Sequence, residues 1–137
     1  MPTEPEPHSD PNDPQATSGF AELLRQHRIA TGTSQHALAR AAGIDASYLH
    51  RLERGDREPP KLEVATALAD ALGLEPADRD RLLVAAGHLP TAIATLGPLD
   101  PTLLTVAATL ADPSMADADR LALRLALGTL CAHWRRA

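Results

Sequence analysis

The chain has 137 residues, a net charge of −5, and 44% hydrophobic but only 2% aromatic residues. This length suits one domain, or a small domain with an appendage, and the core must consist mainly of aliphatic side chains. No apolar run approaches the roughly 18 residues of a membrane span, and the N-terminus lacks the basic and apolar regions of a signal peptide, so neither is predicted. The single cysteine, Cys131, cannot form an internal disulfide, which is consistent with a reduced, cytoplasmic setting.

Residues 1–19 form an acidic, proline-rich tail. They contain five prolines, four acidic residues and no lysine or arginine. Such a segment cannot bury enough apolar surface to offset the entropy of ordering, so we expect it to be disordered. It is either a solubilising leader or a regulatory arm.

The rest of the chain is predicted to be all-α, because strong helix formers dominate and β-branched residues are scarce. Apolar residues recur every three or four positions, and glycine or proline ends most of these runs. An irregular linker is expected at 89–99. The pattern predicts seven helices: from Phe20 to before Gly32, 35–42, 46–54, about 62–72, about 76–86, 100–111 and 116–135.

The spacing within residues 35–52 is the strongest functional signal. Ala39 is small, Gly43 follows four residues later at a tight turn, and apolar residues occupy positions 44, 49 and 52. Two short helices joined by such a turn can pack closely only if a small side chain lies where they cross. This spacing is typical of the helix-turn-helix arrangement, whose second helix enters the DNA major groove.

Three segments in residues 20–73 resemble the lambda-repressor-like, Cro-type helix-turn-helix regulator family, also called the xenobiotic-response-element class. These segments are FAELLRQHRIATGTSQHALARAAGI, YLHRLERGDREP and LADALGL. The resemblance implies a bundle of five helices, here 20–88, that binds double-stranded DNA, mostly as a dimer on a two-fold operator. Residues 74–137 show no secure resemblance, but small repressors of this family often carry a helical dimerisation segment there, which we place at 100–137.

The resemblance also implies roles for individual residues. Gln35 should bind a phosphate at a helix N-terminus, whereas Ala46, Ser47 and Arg51 should face base edges, and Tyr48 and Arg54 should lie near the DNA backbone. Arg28 and Glu53 match a paired arginine and glutamate that tie the first helix to the third. The full DNA-binding set is Gln35, Ala46, Ser47, Tyr48, His50, Arg51, Arg54 and Arg57.

Some of these assignments have a competing interpretation. Tyr48 could instead be partly buried against the fourth helix, and His50 could be a solvated side chain. Ala46 stands where a long polar residue is frequent, so it can only pack, for example on a thymine methyl group. Asp45 and Asp56 weaken the attraction to phosphate, so we expect modest non-specific affinity and dependence on a few arginines.

The last predicted helix carries two apolar stripes and should therefore be covered on two sides. One side can meet the preceding helix, and a second copy of the chain is the simplest partner for the other. The predicted dimerisation residues are Leu123, Leu127, Leu130 and Trp134 in one stripe, and Leu121 and Leu125 in the other.

The sequence thus predicts a sequence-specific transcriptional regulator, a dimeric repressor that binds a two-fold operator through helix 46–54. The alternative is an antitoxin-like interaction factor whose C-terminal helices bind a partner protein. No acid/base or nucleophile set converges, no glycine-rich phosphate loop is present, and Cys131 and His133 alone do not make a metal site. Neither enzymatic activity nor a cofactor is predicted.

Overall fold

The computed structural model describes the backbone of residues 14–135 and the side chains of residues 19–135. The described residues form helices and connecting turns without a strand, which confirms the all-α prediction. None of the described helices combines the length and the apolar character needed to cross a membrane. The helices are α1 (Pro14–Ala30), α2 (Gln35–Ala42), α3 (Ala46–Arg54), α4 (Leu62–Ala71), α5 (Pro76–Ala85), α6 (Thr91–Leu96), α7 (Pro101–Ala111) and α8 (Asp117–Arg135).

Two helical stretches were not expected from the sequence. Helix α1 begins at Pro14, within the tail predicted to be disordered, because the fixed φ of proline suits the first turn and its missing N–H needs no partner there. Residues 1–13 of that predicted tail lie outside the described residues. Helix α6 lies within the segment 89–99 that was expected to be irregular. The Asp80 carboxylate accepts a hydrogen bond from the Thr91 backbone N–H at 3.0 Å, which satisfies a donor at the start of this helix.

The chain divides into two compact units, Met1–Ala92 and Ile93–Ala137. In the first unit, α1 packs against α3 and α5, α2 against α3 and α4, and α4 against α5. Ile29 lies outside this core at 57% exposure, contrary to its expected place in the apolar pattern, because it is about 140° around the helix from Leu24. The core consists of Phe20, Leu24, Leu38, Ala39, Leu49, Leu52, Ala65, Leu68, Ala69, Leu72, Leu82, Leu83 and Ala86.

The ends of α2 and α3 are fixed by local hydrogen bonds. The Ser34 hydroxyl accepts from the Ala37 N–H at 3.1 Å, and Gly43 ends α2 with a φ of 71°, a conformation that glycine adopts without steric cost. The Asp45 carboxylate then accepts from the Ser47 N–H at 2.7 Å at the start of α3. These caps place the two helices on either side of a short turn, with Ala39 buried between them.

In the second unit, Arg120 connects α8 to the end of α7. Its Nε donates to the Leu110 carbonyl at 2.8 Å, and its Nη2 donates to the carbonyls of Asp112 at 2.9 Å and Met115 at 3.2 Å. The Leu110 carbonyl is in the last turn of α7, where carbonyls have no partner within the helix, and Asp112 and Met115 lie in the connection between the two helices. Arg120 therefore fixes the α7–α8 turn.

The two stripes of α8 differ in exposure. Leu123 and Leu127 are half-buried, but Leu130 and Trp134 in the same stripe are 59% and 75% exposed. The expected cover by the preceding helix is therefore incomplete, because α8 has 19 residues and α7 only 11, a difference of about 12 Å of helix. On the other stripe, Leu121 and Leu125 are 58% and 63% exposed.

Candidate nucleic-acid interface

Helix α3 presents a polar face to solvent and an apolar face to the core. Leu49 and Leu52 are fully buried, at 0% and 1% exposure, and they anchor the helix. Ser47 and Arg51 are four residues apart, so they are neighbours on the helix surface, and both are exposed. Ala46 is half-buried and packs against the core. A helix held in this way can present its polar side chains to a ligand without moving.

An open groove of about 400 Å³ runs between the N-terminal parts of α2 and α3. The structure brings five of the predicted DNA-binding residues together here, although they come from two helices. His36, which was not predicted, also lines the groove. The lining residues are Gln35, His36, Ala46, Ser47, His50 and Arg51.

A second groove of about 450 Å³ contains Tyr48 and Arg57 and the loop that follows α3. Tyr48 is half-buried and packs against the core, and it also lines this groove. It therefore combines partial burial with a position on the surface. Arg54, three residues before Arg57 in the chain, is exposed. Lys61 lines the same groove and was missed; the signal that could have found it is a lysine directly before the first residue of α4.

Beneath the first groove, Glu53 is the only buried charged residue among those described. Its Oε1 accepts a hydrogen bond from Arg28 Nε, and its Oε2 accepts one from Gln35 Nε2. Arg28 Nη1 also donates to the Thr33 carbonyl at 3.1 Å. One carboxylate thus joins side chains of α1, α2 and α3 through charge-assisted hydrogen bonds.

Gln35 has a further partner on α3. Its Oε1 lies 3.3 Å from Nδ1 of His50. The predicted role of Gln35 is phosphate binding, and neither of these contacts within the protein was expected from the sequence. A carboxamide has two N–H groups, so one remains for a phosphate after the other has donated to Glu53.

Comparison with known proteins now defines the family. A family model described as a helix-turn-helix domain matches residues 20–82. The chain is 38% identical to the restriction-modification controller protein C.AhdI from Aeromonas hydrophila, known from a high-resolution crystal structure, over 47% of this chain and 97% of that chain, with a TM-score of 0.44. The chain belongs to the helix-turn-helix regulator family. Comparison with curated proteins gives no match.

Membership of the helix-turn-helix family confirms the predicted family and defines the class of function, which is DNA-binding transcription regulation. The matched residues include α2, α3 and the turn between them. Residues 83–137 lie outside the match to the family model.

The arginines of this helix-turn-helix protein differ in how they are held. Arg54 Nε lies 3.3 Å from a carboxylate oxygen of Asp56, and the two side chains are 64% and 52% exposed. Such exposed ion pairs are worth little, so Arg54 can leave Asp56 for another anion. Arg51 Nε makes only a long contact of 3.4 Å with the Ser47 carbonyl within its own helix, and its guanidinium remains available to a ligand.

The N-terminal cap of α3, formed by Asp45, should lose its stabilising effect at low pH. The Ser47 backbone N–H, the Ser47 hydroxyl and the Tyr48 backbone N–H all lower the pKa of Asp45, in that order of size. A lowered pKa means that the cap contributes stability above the ordinary pKa of aspartate, about 3.9, and loses it as the pH falls through the lowered value. We expect amide hydrogen exchange in the first turn of α3 to accelerate in that range.

The matched control for this prediction is Asp45→Asn. Asparagine is an equally good cap and does not titrate, so the acceleration at low pH should disappear in this variant. The same acid dependence in Asp45→Asn and in the wild type would show that another group is responsible.

Proposed function

We propose that this helix-turn-helix regulator is a dimeric repressor, located in the cytoplasm, that binds a two-fold operator with α3 in the major groove. The observation that carries the proposal is the exposed polar face of α3 beside the N-terminus of α2, opposite the buried Leu49 and Leu52. In helix-turn-helix proteins, the N-terminal residues of the second helix contact base edges. Occupation of an operator that overlaps a promoter excludes the polymerase, so repression follows from binding alone, without catalysis or a cofactor.

In this proposal Arg51 supplies the main contact to a base. A guanidinium can donate two parallel hydrogen bonds to O6 and N7 of guanine. Ser47 lies one helical turn away on the same face, and Ala46 can pack only on an apolar group such as the thymine methyl. The face therefore offers one strong donor and two short side chains.

Phosphate contacts come from the edges of the same surface. The free N–H of Gln35 and the backbone N–H groups at the start of α2 suit a phosphate, because a helix N-terminus attracts anions. Arg54 binds a phosphate after releasing Asp56. Tyr48, Arg57 and Lys61 line the neighbouring groove. These contacts position the protein, whereas base contacts select the sequence.

A comparison of Arg51→Ala with Arg54→Ala tests this arrangement. Arg51→Ala should relax the sequence preference at one base pair in each half-site, a loss of about 1–3 kcal/mol of discrimination. Arg54→Ala should weaken all sites equally and reduce the salt slope by about one unit in each half-site. Selection of bound sites from random duplex DNA measures both effects. Full sequence preference in Arg51→Ala would exclude that residue as the base contact.

The proposed dimer uses the side of α8 that carries Leu121 and Leu125. This side lies about 200° around the helix from Leu123, which is half-buried. A Cβ added at Gly128 would meet nothing within 4 Å, so a partner helix can approach closely there. The first turn of α8 is acidic (Asp117, Asp119) and the last is basic (His133, Arg135), so an antiparallel second copy would align opposite charges. A two-fold dimer of this kind uses the same surface on both copies.

A further inference from the structure

The contact between Gln35 and His50 determines more than the packing of two side chains. His50 is exposed on α3 and lines the groove between α2 and α3. Its Nδ1 lies 3.3 Å from Oε1 of Gln35, and the Nε2 of the same carboxamide donates to the buried Glu53. The imidazole is thus joined to the buried carboxylate through one amide group.

The chemistry of each group fixes the direction of these hydrogen bonds. An ionised carboxylate can only accept, so Gln35 must turn its NH₂ group toward Glu53. This orientation leaves the Gln35 carbonyl oxygen, which also can only accept, facing His50. Nδ1 of His50 must therefore carry a proton. In a neutral imidazole only one nitrogen is protonated, so Nε2 is left as an acceptor.

Arg28 holds this chain at its other end. Its Nε donates to the second oxygen of Glu53, and its Nη1 donates to the Thr33 carbonyl. The carboxylate is therefore held in place by a cation. If the Gln35 amide turned over, its carbonyl oxygen would face a carboxylate oxygen, and two acceptors cannot form a hydrogen bond with each other. An unconstrained neutral histidine carries its proton mainly on Nε2, so the arrangement reverses the ordinary preference.

We propose that His50 is a specificity-determining residue, held by Gln35 as the Nδ1–H tautomer so that its Nε2 accepts a hydrogen bond from a base. The proposal rests on the proposed placement of α3 in the major groove. There, adenine N6 and cytosine N4 are amino donors, whereas guanine O6 and N7 and thymine O4 are acceptors. His50 should therefore favour the amino group of adenine or cytosine and disfavour a guanine or thymine edge at the same position.

The first test is the position of the ring proton in the full chain without DNA. Long-range proton–nitrogen NMR correlations at about pH 8, where histidine is neutral, distinguish a protonated from an unprotonated ring nitrogen. We expect Nδ1 of His50 to be protonated in the wild type and Nε2 to be protonated in Gln35→Met, which keeps the length of the side chain but removes its amide. The exposed His36 serves as an internal control in both spectra. Protonation of Nε2 in wild-type His50 would overturn the tautomer assignment, whatever the behaviour of the variant.

The second test is selection of bound sites from random duplex DNA at the same pH. His50→Ala should lose a preference on the order of tenfold for adenine or cytosine at one base pair in each half-site, and the control Arg81→Ala, at an exposed position outside the groove, should keep it. An unchanged preference in His50→Ala would overturn the base contact. If the wild-type protein selects no sequence, the proposed function fails together with the base contact, whereas the tautomer assignment depends on the ring spectrum alone.

Discussion

Replacement of Glu53 by alanine is expected to lower the free energy of unfolding by about 3–5 kcal/mol, the usual cost of removing one partner of a buried ion pair. The Glu53 side chain is 3% exposed and that of Arg28 is 17% exposed, so water cannot replace the lost carboxylate fully. The loss would remove the acceptor of two donors, Nε of Arg28 and Nε2 of Gln35. Urea denaturation measures the change, provided that the slope with denaturant is unaltered.

The matched control for this prediction is an exposed pair. Arg81 Nη1 lies 3.1 Å from a carboxylate oxygen of Asp78, but the Arg81 side chain is 72% exposed. Arg81→Ala should change stability by no more than about 1 kcal/mol, because solvent screens exposed pairs. Equal losses in Glu53→Ala and Arg81→Ala would show that the buried carboxylate does not stabilise the packing of α1, α2 and α3.

Introduction of a charge at Leu125 is expected to abolish dimerisation. Leu125→Glu would place a carboxylate within the proposed interface, where an unpaired charge cannot be buried at an acceptable cost. A monomer contacts one half-site at a time, so the affinity for a two-fold operator should fall by about 10²–10⁴. Sedimentation gives the mass of each form, and a binding titration with the selected operator gives the affinity.

The control for the interface is Ala126→Glu. Ala126 is exposed on the same helix but lies about 100° around it from Leu125 and about 140° from Leu121. It adds the same charge to α8 and should leave the dimer and its operator affinity unchanged. A dimer that persists in Leu125→Glu would exclude this side of α8 as the interface. A wild-type protein that is monomeric when pure would favour the alternative in which the C-terminal helices bind a different protein.

The core positions the DNA interface but does not include the side chains that contact DNA. Substitutions of those side chains should therefore affect DNA binding and protein stability separately. Leu49 and Leu52 hold α3 from below, whereas Arg51 and Arg54 take no part in the core. Their removal should therefore change DNA binding without unfolding the bundle, since substitutions at exposed positions usually have small effects on stability. Glu53 should affect both stability and DNA binding, because its loss would alter the packing of α1, α2 and α3 and the orientation of Gln35.

The sequence by itself determined the features that depend on near neighbours in the chain. Helix ends are set by hydrogen bonds that reach two or three residues, such as those of Ser34 and Asp45, so α2 and α3 could be placed from residue types alone. The apolar periodicity showed in the same way that Leu49 and Leu52 would be buried. The family was recognisable because the three segments that resemble it lie within one stretch of the chain.

Only the tertiary structure decided which distant side chains meet. The bonds of Gln35 to Glu53 and His50 join residues 18 and 15 positions apart, and they exist only because core packing sets the distance and rotation of α2 relative to α3. No local pattern encodes that rotation, so the connection of a buried carboxylate to an exposed imidazole through one amide could not be predicted from the sequence. For the same reason, the partial cover of α8 by the shorter α7 became evident only once both helices were placed. Periodicity shows that a face is apolar, but the length and position of a neighbouring helix decide how much of that face is buried.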